Sequence, residues 1–211
     1  MVTHYDTIGL NYANLRKPDP RIGALINDAL GPAKTVLNVG AGAGSYEPDD
    51  KQVTAVEPSI EMIRQRPATS ATVVQGFAED LPFDDNSFDA SMAVLTIHHW
   101  KDQAKVLREM RRVTAGNIVI LTYDPDFRDF WLLDYIPELI ALDEDQMPKL
   151  ATYKQWLGAV DISAVPIPHD CTDGFLSAYW RRPAAYLDPK IRAAMSPFWA
   201  LGDIENALQK L

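Results

Sequence analysis

The chain has 211 residues, of which 47% are hydrophobic, and its formal net charge is −9. This length favours one domain with a sizeable core, and the hydrophobic share excludes a disordered chain. The negative charge argues against nucleic acid or a membrane surface as a partner, since it repels phosphate groups. With one cysteine, Cys171, and no signal-peptide pattern, the chain is expected in the cytoplasm.

The segment from residue 20 to about 125 alternates helix-like and strand-like stretches. Asp19 and Pro20 are typical of the start of a helix, and Gly31 of its end. Apolar runs then predict five strands, at residues 35–39, 53–56, 72–75, 88–94 and 117–123. This alternation of helices and strands favours an α/β fold, with a Rossmann-like and mainly parallel sheet that has helices on both faces.

The connections between these strands are also readable. Ser59 is a candidate cap of a short helix, and Asp102 predicts the start of a longer helix that ends at Val113. Only residues 45–52 separate the first two strands, whereas a parallel crossover normally takes a dozen or more residues. We therefore expect one helical turn there, or no helix at all.

The character of the sequence changes after Tyr123. Residues 126–142 predict an aromatic-rich helix, residues 159–165 a sixth strand, and residues 172–211 helical segments broken by prolines. No later segment is suited to an antiparallel closing strand. The sequence thus predicts a single domain over residues 1–211, with a core at about 20–125 and a helical elaboration at about 126–211.

The most informative stretch is the glycine loop at residues 40–44, directly after the first strand. Gly40 and Gly42 allow a tight turn and a close approach of a ligand, and we include Ala41 in the candidate site. The dinucleotide fingerprint requires a third glycine where Ser45 stands, which argues against a nicotinamide dehydrogenase. Glu57, at the tip of the second strand, is suited to accept both ribose hydroxyls of an adenosine. Alone, the glycine loop is equally compatible with an ordinary turn, and a lone Glu57 favours a solvated carboxylate. The two together at this spacing favour a ribose site.

Two more loops follow strands at the same edge of the predicted sheet. The loop after the third strand offers the Ala78 amide and the Glu79 carboxylate as partners for an adenine edge. The loop after the fourth strand begins at Leu95 and contains His98. Because ligands bind at the carboxyl ends of parallel strands, we expect these residues near the glycine loop.

Taken together, these residues resemble the class I S-adenosylmethionine-dependent methyltransferases of the broad "methyltransferase 11" type. The resemblance covers roughly residues 34–124, with the run A-E-D-L-P-F-D-D-N-S-F-D at residues 78–89 and L-R-E-M-R-R-V at residues 107–113. It implies S-adenosylmethionine as the cofactor and methyl transfer to a small-molecule acceptor. The alternative is a protein that binds S-adenosylmethionine and catalyses nothing.

The resemblance also implies roles for single residues. The glycine loop holds the methionine part of the cofactor, Glu57 holds the ribose, and Met62 packs on the adenine, with Pro58 and Leu95 nearby. Two departures stand out, because the family usually has Asp at the positions of Asn38 and Phe77. We expect Asn38 to orient the loop by hydrogen bonds, and Glu79 or a backbone group to replace the second Asp.

His98 is the candidate catalytic residue. The run I-H-H-W-K-D at residues 97–102 resembles the L-H-D-W-x-D run of O-methyltransferases, whose His removes a hydroxyl proton. The alternative is that His98 only packs or hydrogen-bonds in the wall of the site. Near the N-terminus, Tyr5, Tyr12 and Arg16 are candidates to cover the cofactor, with Arg16 pairing to the methionine carboxylate or remaining solvated. No cluster has metal-ligand spacing, so no metal is expected.

Overall fold

The computed structural model describes residues 15–68 and 71–211. Its centre is one five-stranded parallel sheet in the order β3-β2-β1-β4-β5. The strands are β1 (Thr35–Val39), β2 (Gln52–Glu57), β3 (Thr72–Gln75), β4 (Ala90–Val94) and β5 (Ile118–Leu121). The predicted Rossmann-like fold is therefore confirmed, with each strand within two residues of its predicted bounds.

Helices connect and cover these strands. They are α1 (Pro20–Leu30), α2 (Ile60–Arg64), α3 (Gln103–Val113), α4 (Glu138–Gln146), α5 (Leu150–Leu157), α6 (Pro189–Arg192), α7 (Pro197–Ala200) and α8 (Glu205–Leu208). The side chains of Asp19, Ser59 and Asp102 cap α1, α2 and α3 as predicted. No helix joins β1 to β2, as the short connection required.

The sheet is buried on both faces, because neighbouring residues of each strand point to opposite sides. Leu37 and Val39 of β1 pack with α3 in one hydrophobic cluster, whereas Val36 packs with α1 in a second cluster. All three side chains are fully buried. This explains why the strands appear in the sequence as almost continuous apolar runs.

The parallel register brings the functional loops to one edge. The last residue pairs of β1 and β2 are Val39 with Val56, and those of β2 and β3 are Glu57 with Gln75. On the other side Val94 of β4 pairs with Leu121 of β5. The carboxyl ends of all five strands therefore face the same way, with the glycine loop in the middle.

The predicted helix over residues 126–142 is wrong. The structure has a turn at residues 125–126, a 3₁₀ helix at Trp131–Asp134, and then α4, which begins at Glu138. Pro137 accounts for the difference, because it lacks a backbone N–H and suits the start of a helix better than its interior. Helix α4 also runs on to Gln146, four residues beyond the predicted end.

The predicted sixth strand over residues 159–165 is also wrong. Residues 159–168 have no strand ladder, but Val160 packs in the first hydrophobic cluster, whereas Val165 and Ile167 pack in the second. The segment thus passes from one cluster to the other, which gives it a strand-like apolar pattern without strand pairing. The structure has no strand after Leu121 among the residues it describes, so the prediction of a missing closing strand is confirmed.

The C-terminal elaboration consists of short helical turns, as predicted. Two 3₁₀ helices, Leu176–Tyr179 and Pro183–Leu187, precede α6, α7 and α8. Their apolar side chains form a third cluster with Leu132, Ile136 and Leu139 from the region before and within α4. None of the helices described here has the length and apolar character needed to cross a membrane.

Candidate functional site

The glycine loop adopts a conformation that requires glycine. Gly40, Gly42 and Gly44 all have positive φ angles, of 68°, 52° and 91°. The amides of Gly40 and Ala41 donate to the Val56 carbonyl at 2.9 and 3.0 Å, which ties the loop to the end of β2. Residues that carry a Cβ atom rarely adopt such φ angles, so the backbone of this turn favours glycine at these three positions.

The loop after β4 lies directly against the glycine loop. A Cβ atom at Gly40 would come within 2.3 Å of the Thr96 Oγ1 atom, so only glycine permits this contact. Thr96 is itself buried, and Leu95 before it has a positive φ of 52°. The close approach of the two loops places the turn after β4 beside the candidate cofactor site.

Glu57 is a buried carboxylate, only 6% exposed, at the end of β2. Its two oxygens accept hydrogen bonds from the Gly42 and Ser59 amides, each at 2.8 Å. These contacts fix the carboxylate between the glycine loop and the start of α2. A carboxylate has about four acceptor sites in all, which is the chemistry that ligand hydroxyls require.

A buried ion pair supports the glycine loop. Arg66, just after α2, donates to the Gly42 carbonyl at 3.1 Å and lies 2.6 Å from the Glu47 carboxylate. The Asn38 amide also donates to Glu47, at 2.9 Å. Asn38 therefore orients the loop by hydrogen bonds, as expected, and the negative charge at this place comes from Glu47.

The remaining predicted cofactor residues surround this centre. Met62 is 3% exposed, and its Cε atom would lie 3.3 Å from a Cβ at Gly42. Ala78 is buried beyond β3, and the Pro58 carbonyl accepts a hydrogen bond from Gln75 at the end of β3. Glu79 accepts from the Lys101 amide at 3.2 Å, which joins the loops after β3 and β4.

These residues fit S-adenosylmethionine. The buried Glu57 carboxylate suits two ribose hydroxyls, and the thioether of Met62 offers an apolar surface for an adenine ring. The glycine positions leave no side chain between the loop and a ligand. A loop built to hold a phosphate would instead present free amides, whereas the Gly40, Ala41 and Gly42 amides are all bonded within the chain.

A cavity of about 40 Å³ lies next to this site. It has room for about three water molecules. Its wall is continuous with the glycine loop, because Leu95 lines the cavity and the following Thr96 touches Gly40. The lining side chains are Arg16, Leu95, His98, Tyr123, Asp143, Gln146, Met147, Phe175, Leu176, Ser196 and Pro197.

His98 projects into this cavity in a neutral form. Its Nδ1 atom is buried and has no hydrogen-bond partner, and its Nε2 atom lies 3.4 Å from the Ser196 hydroxyl. Burial and the positive charge of Arg16 lower the pKa of His98 to about 4. The imidazole is therefore uncharged at neutral pH and is a weaker proton acceptor than an ordinary histidine.

Two acidic groups of the same cavity are also perturbed by burial. Burial raises the pKa of Asp143 to about 6, against a smaller opposing effect of Arg128. Burial likewise raises the pKa of Tyr123 above its usual range, which keeps the phenol protonated. Perturbed pKa values of this kind are concentrated at functional sites.

Arg16 lines the cavity but has a partner within the chain. Its guanidinium pairs with both oxygens of Asp173, at 2.6 and 3.4 Å, and Asp173 is 1% exposed. Asp173 also accepts from the Tyr46 hydroxyl at 2.8 Å. The predicted pairing with a methionine carboxylate thus requires Arg16 to share its donors with Asp173. Tyr5 and Tyr12 lie outside the described residues.

The structure brings the sequence-predicted residues together in two adjoining groups. Leu95, His98 and Arg16 line the cavity. The other predicted residues lie at the carboxyl ends of β1, β2 and β3 or beyond them: Gly40, Ala41, Gly42, Glu57, Pro58, Met62, Ala78 and Glu79. Sequence analysis missed Asp143 and Gln146, which no motif marks, and it missed the loop-supporting pair Glu47 and Arg66. Within the described ranges no cluster of three or more His, Cys, Asp or Glu side chains could hold a metal ion.

Comparison with known proteins supports the fold and the cofactor. A family model described as "Methyltransferase domain" matches residues 37–122. A crystal structure from Anabaena variabilis, provisionally described as a methyltransferase from an antibiotic biosynthesis pathway, superimposes with a TM-score of 0.84. The two chains are 32% identical, and the match covers 94% of this chain and 85% of the other.

Curated sequences give matches of lower coverage. The chain is 27% identical over 179 residues to 2-methyl-6-phytyl-1,4-hydroquinone methyltransferase 1, a chloroplastic protein of Oryza sativa subsp. japonica, covering 77% of this chain and 53% of that protein. It is 36% identical over 121 residues to an uncharacterized methyltransferase of Mycobacterium tuberculosis, covering 54% and 49%. The chain thus spans about half the length of the curated relatives it matches.

Proposed function

The chain belongs to the class I S-adenosylmethionine-dependent methyltransferases, and on that premise we propose that it transfers the methyl group of S-adenosylmethionine to a small-molecule acceptor by in-line displacement. The observation that supports this best is the cavity at Leu95 and His98, next to the glycine loop. An acceptor held there lies beside the cofactor site, and alignment of the two reactants is the main contribution a protein makes to such a reaction.

The residues around the glycine loop would hold the cofactor. Glu57 accepts the ribose hydroxyls, Met62 packs on the adenine, and the loop from Gly40 to Gly42 leaves room for the methionine part. Pro58, Ala78, Glu79, Leu95 and Arg16 complete the proposed cofactor site. Bound S-adenosylmethionine supplies a methyl group on a sulfonium, so the protein needs only to orient, to exclude water and to receive a proton.

The acceptor extends from the cavity into a neighbouring groove. The cavity alone is too small for a metabolite, but His98 and Gln146 also line an open groove of about 510 Å³ on their other side. Trp100 and Trp156 form part of the groove wall. Ligand sites typically measure about 300–1,000 Å³, so the groove suits the body of an acceptor whose reacting end enters the cavity.

His98 orients that reacting end. Its neutral imidazole, with an unpartnered Nδ1 atom, can accept a hydrogen bond from an acceptor N–H or O–H group. This keeps His98 as a catalytic residue of the proposal, in contact with the acceptor. Its lowered pKa makes it better suited to positioning than to holding a proton.

The same proposal includes the cellular setting and the arrangement of the chain. We take the 211 residues as one methyltransferase domain that acts in the cytoplasm on a metabolite. The net charge of −9 supports a small acceptor over a nucleic acid, and a single buried cysteine is compatible with a reducing compartment.

Two measurements test the function. Calorimetry with S-adenosylmethionine, S-adenosylhomocysteine and NAD should show binding of the first two, and binding of NAD alone would refute the assignment. Incubation with S-adenosylmethionine and fractionated metabolites should then release S-adenosylhomocysteine with at least one fraction. Binding without any release would favour the alternative, a protein that binds S-adenosylmethionine without catalysis.

A further inference from the structure

We propose that Asp143 is the catalytic residue that takes the proton from the acceptor, and that this acceptor reacts through a neutral hydroxyl group. The inference rests on the proposed function and assigns it a proton acceptor and a substrate class. No sequence motif marks Asp143 for this role, since it lies in α4, outside the region that resembles the family.

The position of Asp143 supports the assignment first. Asp143 and Gln146 lie one turn apart on α4 and both line the cavity that contains His98. Arg128 approaches Asp143 but is paired with Glu144 at 2.6 Å. Among the described residues, no side-chain or backbone group donates a hydrogen bond to the Asp143 carboxylate. A half-buried carboxylate without such a donor is available to an O–H group of a ligand.

Basicity separates Asp143 from His98 in the same cavity. A general base works best when its pKa lies near the operating pH. Burial raises the pKa of Asp143 to about 6, whereas burial and Arg16 lower the pKa of His98 to about 4. Asp143 is therefore ionised at neutral pH and is a stronger base than His98.

The charges that face the cavity favour a neutral acceptor. Arg16 is the cation of the cavity wall and opposes a positive charge on His98, although it is paired with the buried Asp173. Asp143 is the anion of the wall, and Tyr123 stays neutral. A sulfonium at the adjoining cofactor site would place a further positive charge beside the acceptor. That charge disfavours an ammonium acceptor and stabilises the negative charge that develops on a hydroxyl oxygen as its proton leaves.

The proposed step balances without a further reagent. The hydroxyl oxygen of the acceptor forms a bond to the methyl carbon while the carbon–sulfur bond breaks and its electron pair stays on sulfur. The hydroxyl proton passes to the Asp143 carboxylate and from there to solvent. His98 accepts no proton in this step and only orients the hydroxyl.

The experiment compares Asp143→Asn with Glu138→Gln, a control that removes one negative charge from an exposed position of the same helix. With the best hydroxylated acceptor, Asp143→Asn should lower kcat by about 10²–10⁴-fold, and S-adenosylhomocysteine affinity should stay within about 3-fold. The control should keep wild-type kcat. The wild-type rate should rise with pH through about 6, as Asp143 ionises, and this rise should be absent from the pH–rate profile of Asp143→Asn.

A pH–rate profile that instead rises near pH 4, and loses this rise when His98 is replaced, would overturn the proposal.

A second measurement does not depend on turnover. In protein labelled with ¹³C at aspartate carboxyls, the resonance that Asp143→Asn removes should titrate near pH 6. Phenol, used as a hydroxyl probe with S-adenosylmethionine bound, should shift that resonance at lower concentration than benzylamine does. Stronger binding of benzylamine, or an unperturbed resonance with phenol, would overturn the inference. This readout stands even if no acceptor is turned over, an outcome that would count against the proposed function alone.

Discussion

The guanidinium of Arg66 and the carboxylate of Glu47 lie 2.6 Å apart beneath the glycine loop, and both side chains are less than a tenth exposed. Arg66 also donates to the Gly42 carbonyl, and Glu47 accepts from Asn38. The pair therefore links Glu47, in the connection after β1, to Arg66, in the segment that follows α2. Neither residue reaches the ligand in our proposal, so both are positioning residues for the loop.

Replacing Arg66 with Met should weaken S-adenosylhomocysteine binding by about 10-fold and destabilise the fold by about 3–5 kcal/mol, because Glu47 is left buried and unpaired. The double variant Arg66→Met with Glu47→Gln should recover part of the stability but not the affinity. Calorimetry and urea unfolding measure the two effects. Arg64→Met is the matched control on the exposed side of α2. Equal affinity in all variants would show that the pair does not position the loop.

Glu57→Ala should lower affinity for S-adenosylhomocysteine by about 1.5–3 kcal/mol, the range for hydrogen bonds to a charged group. Glu57→Gln should also lose affinity, because its amide would place a donor against the Gly42 or Ser59 amide that Glu57 now accepts from. Asp50→Asn, an exposed charge change before the opposite end of β2, should bind normally. Unchanged affinity in Glu57→Ala would mean that the ribose lies elsewhere.

Gly40→Ala should destabilise the protein by clearly more than Gly158→Ala. Both positions have positive φ, which costs a residue with a Cβ about 1–2 kcal/mol. At Gly158 the new methyl group meets nothing within 4 Å, whereas at Gly40 it would lie 2.3 Å from Thr96. We expect a loss about 1–3 kcal/mol larger at Gly40, because overpacking against Thr96 adds to the backbone strain there. Urea unfolding of the two variants provides the test, and equal losses would contradict the close approach.

His98 should make the protein less stable as pH falls. Its folded-state pKa is about 4, below the ordinary value of 6.5, so the unfolded chain takes up the proton first. Stability is therefore lost between about pH 6.5 and pH 4, by up to about 3 kcal/mol. His98→Gln should lose this dependence while retaining that of Asp143. Urea unfolding of the wild type and His98→Gln at pH 7 and pH 4.5 measures this pH dependence. An equal change in the free energy of unfolding of both proteins would contradict the buried neutral state of His98.

The sequence by itself determined the sheet and the centre of the candidate cofactor site. The strands at Thr35–Val39 and Thr72–Gln75 could be read because burial on both faces requires short apolar runs. Gly40 and Gly42 could be predicted as candidate site residues because positive φ favours glycine. Glu57 could be predicted because it ends a strand. These are local constraints, each satisfied within a few residues of chain.

Only the tertiary structure decided the cavity and its chemistry. Asp173 pairs with Arg16 across 157 residues of chain, and Asp143 lines the same cavity as His98 from a helix that no motif marks. Residues 159–165 resembled a strand because packing against two clusters produces the same apolar pattern as strand pairing. The pKa of a carboxyl depends on its burial and on charges brought from distant segments, so the basicity of Asp143 and the neutrality of His98 arise only when the chain is folded.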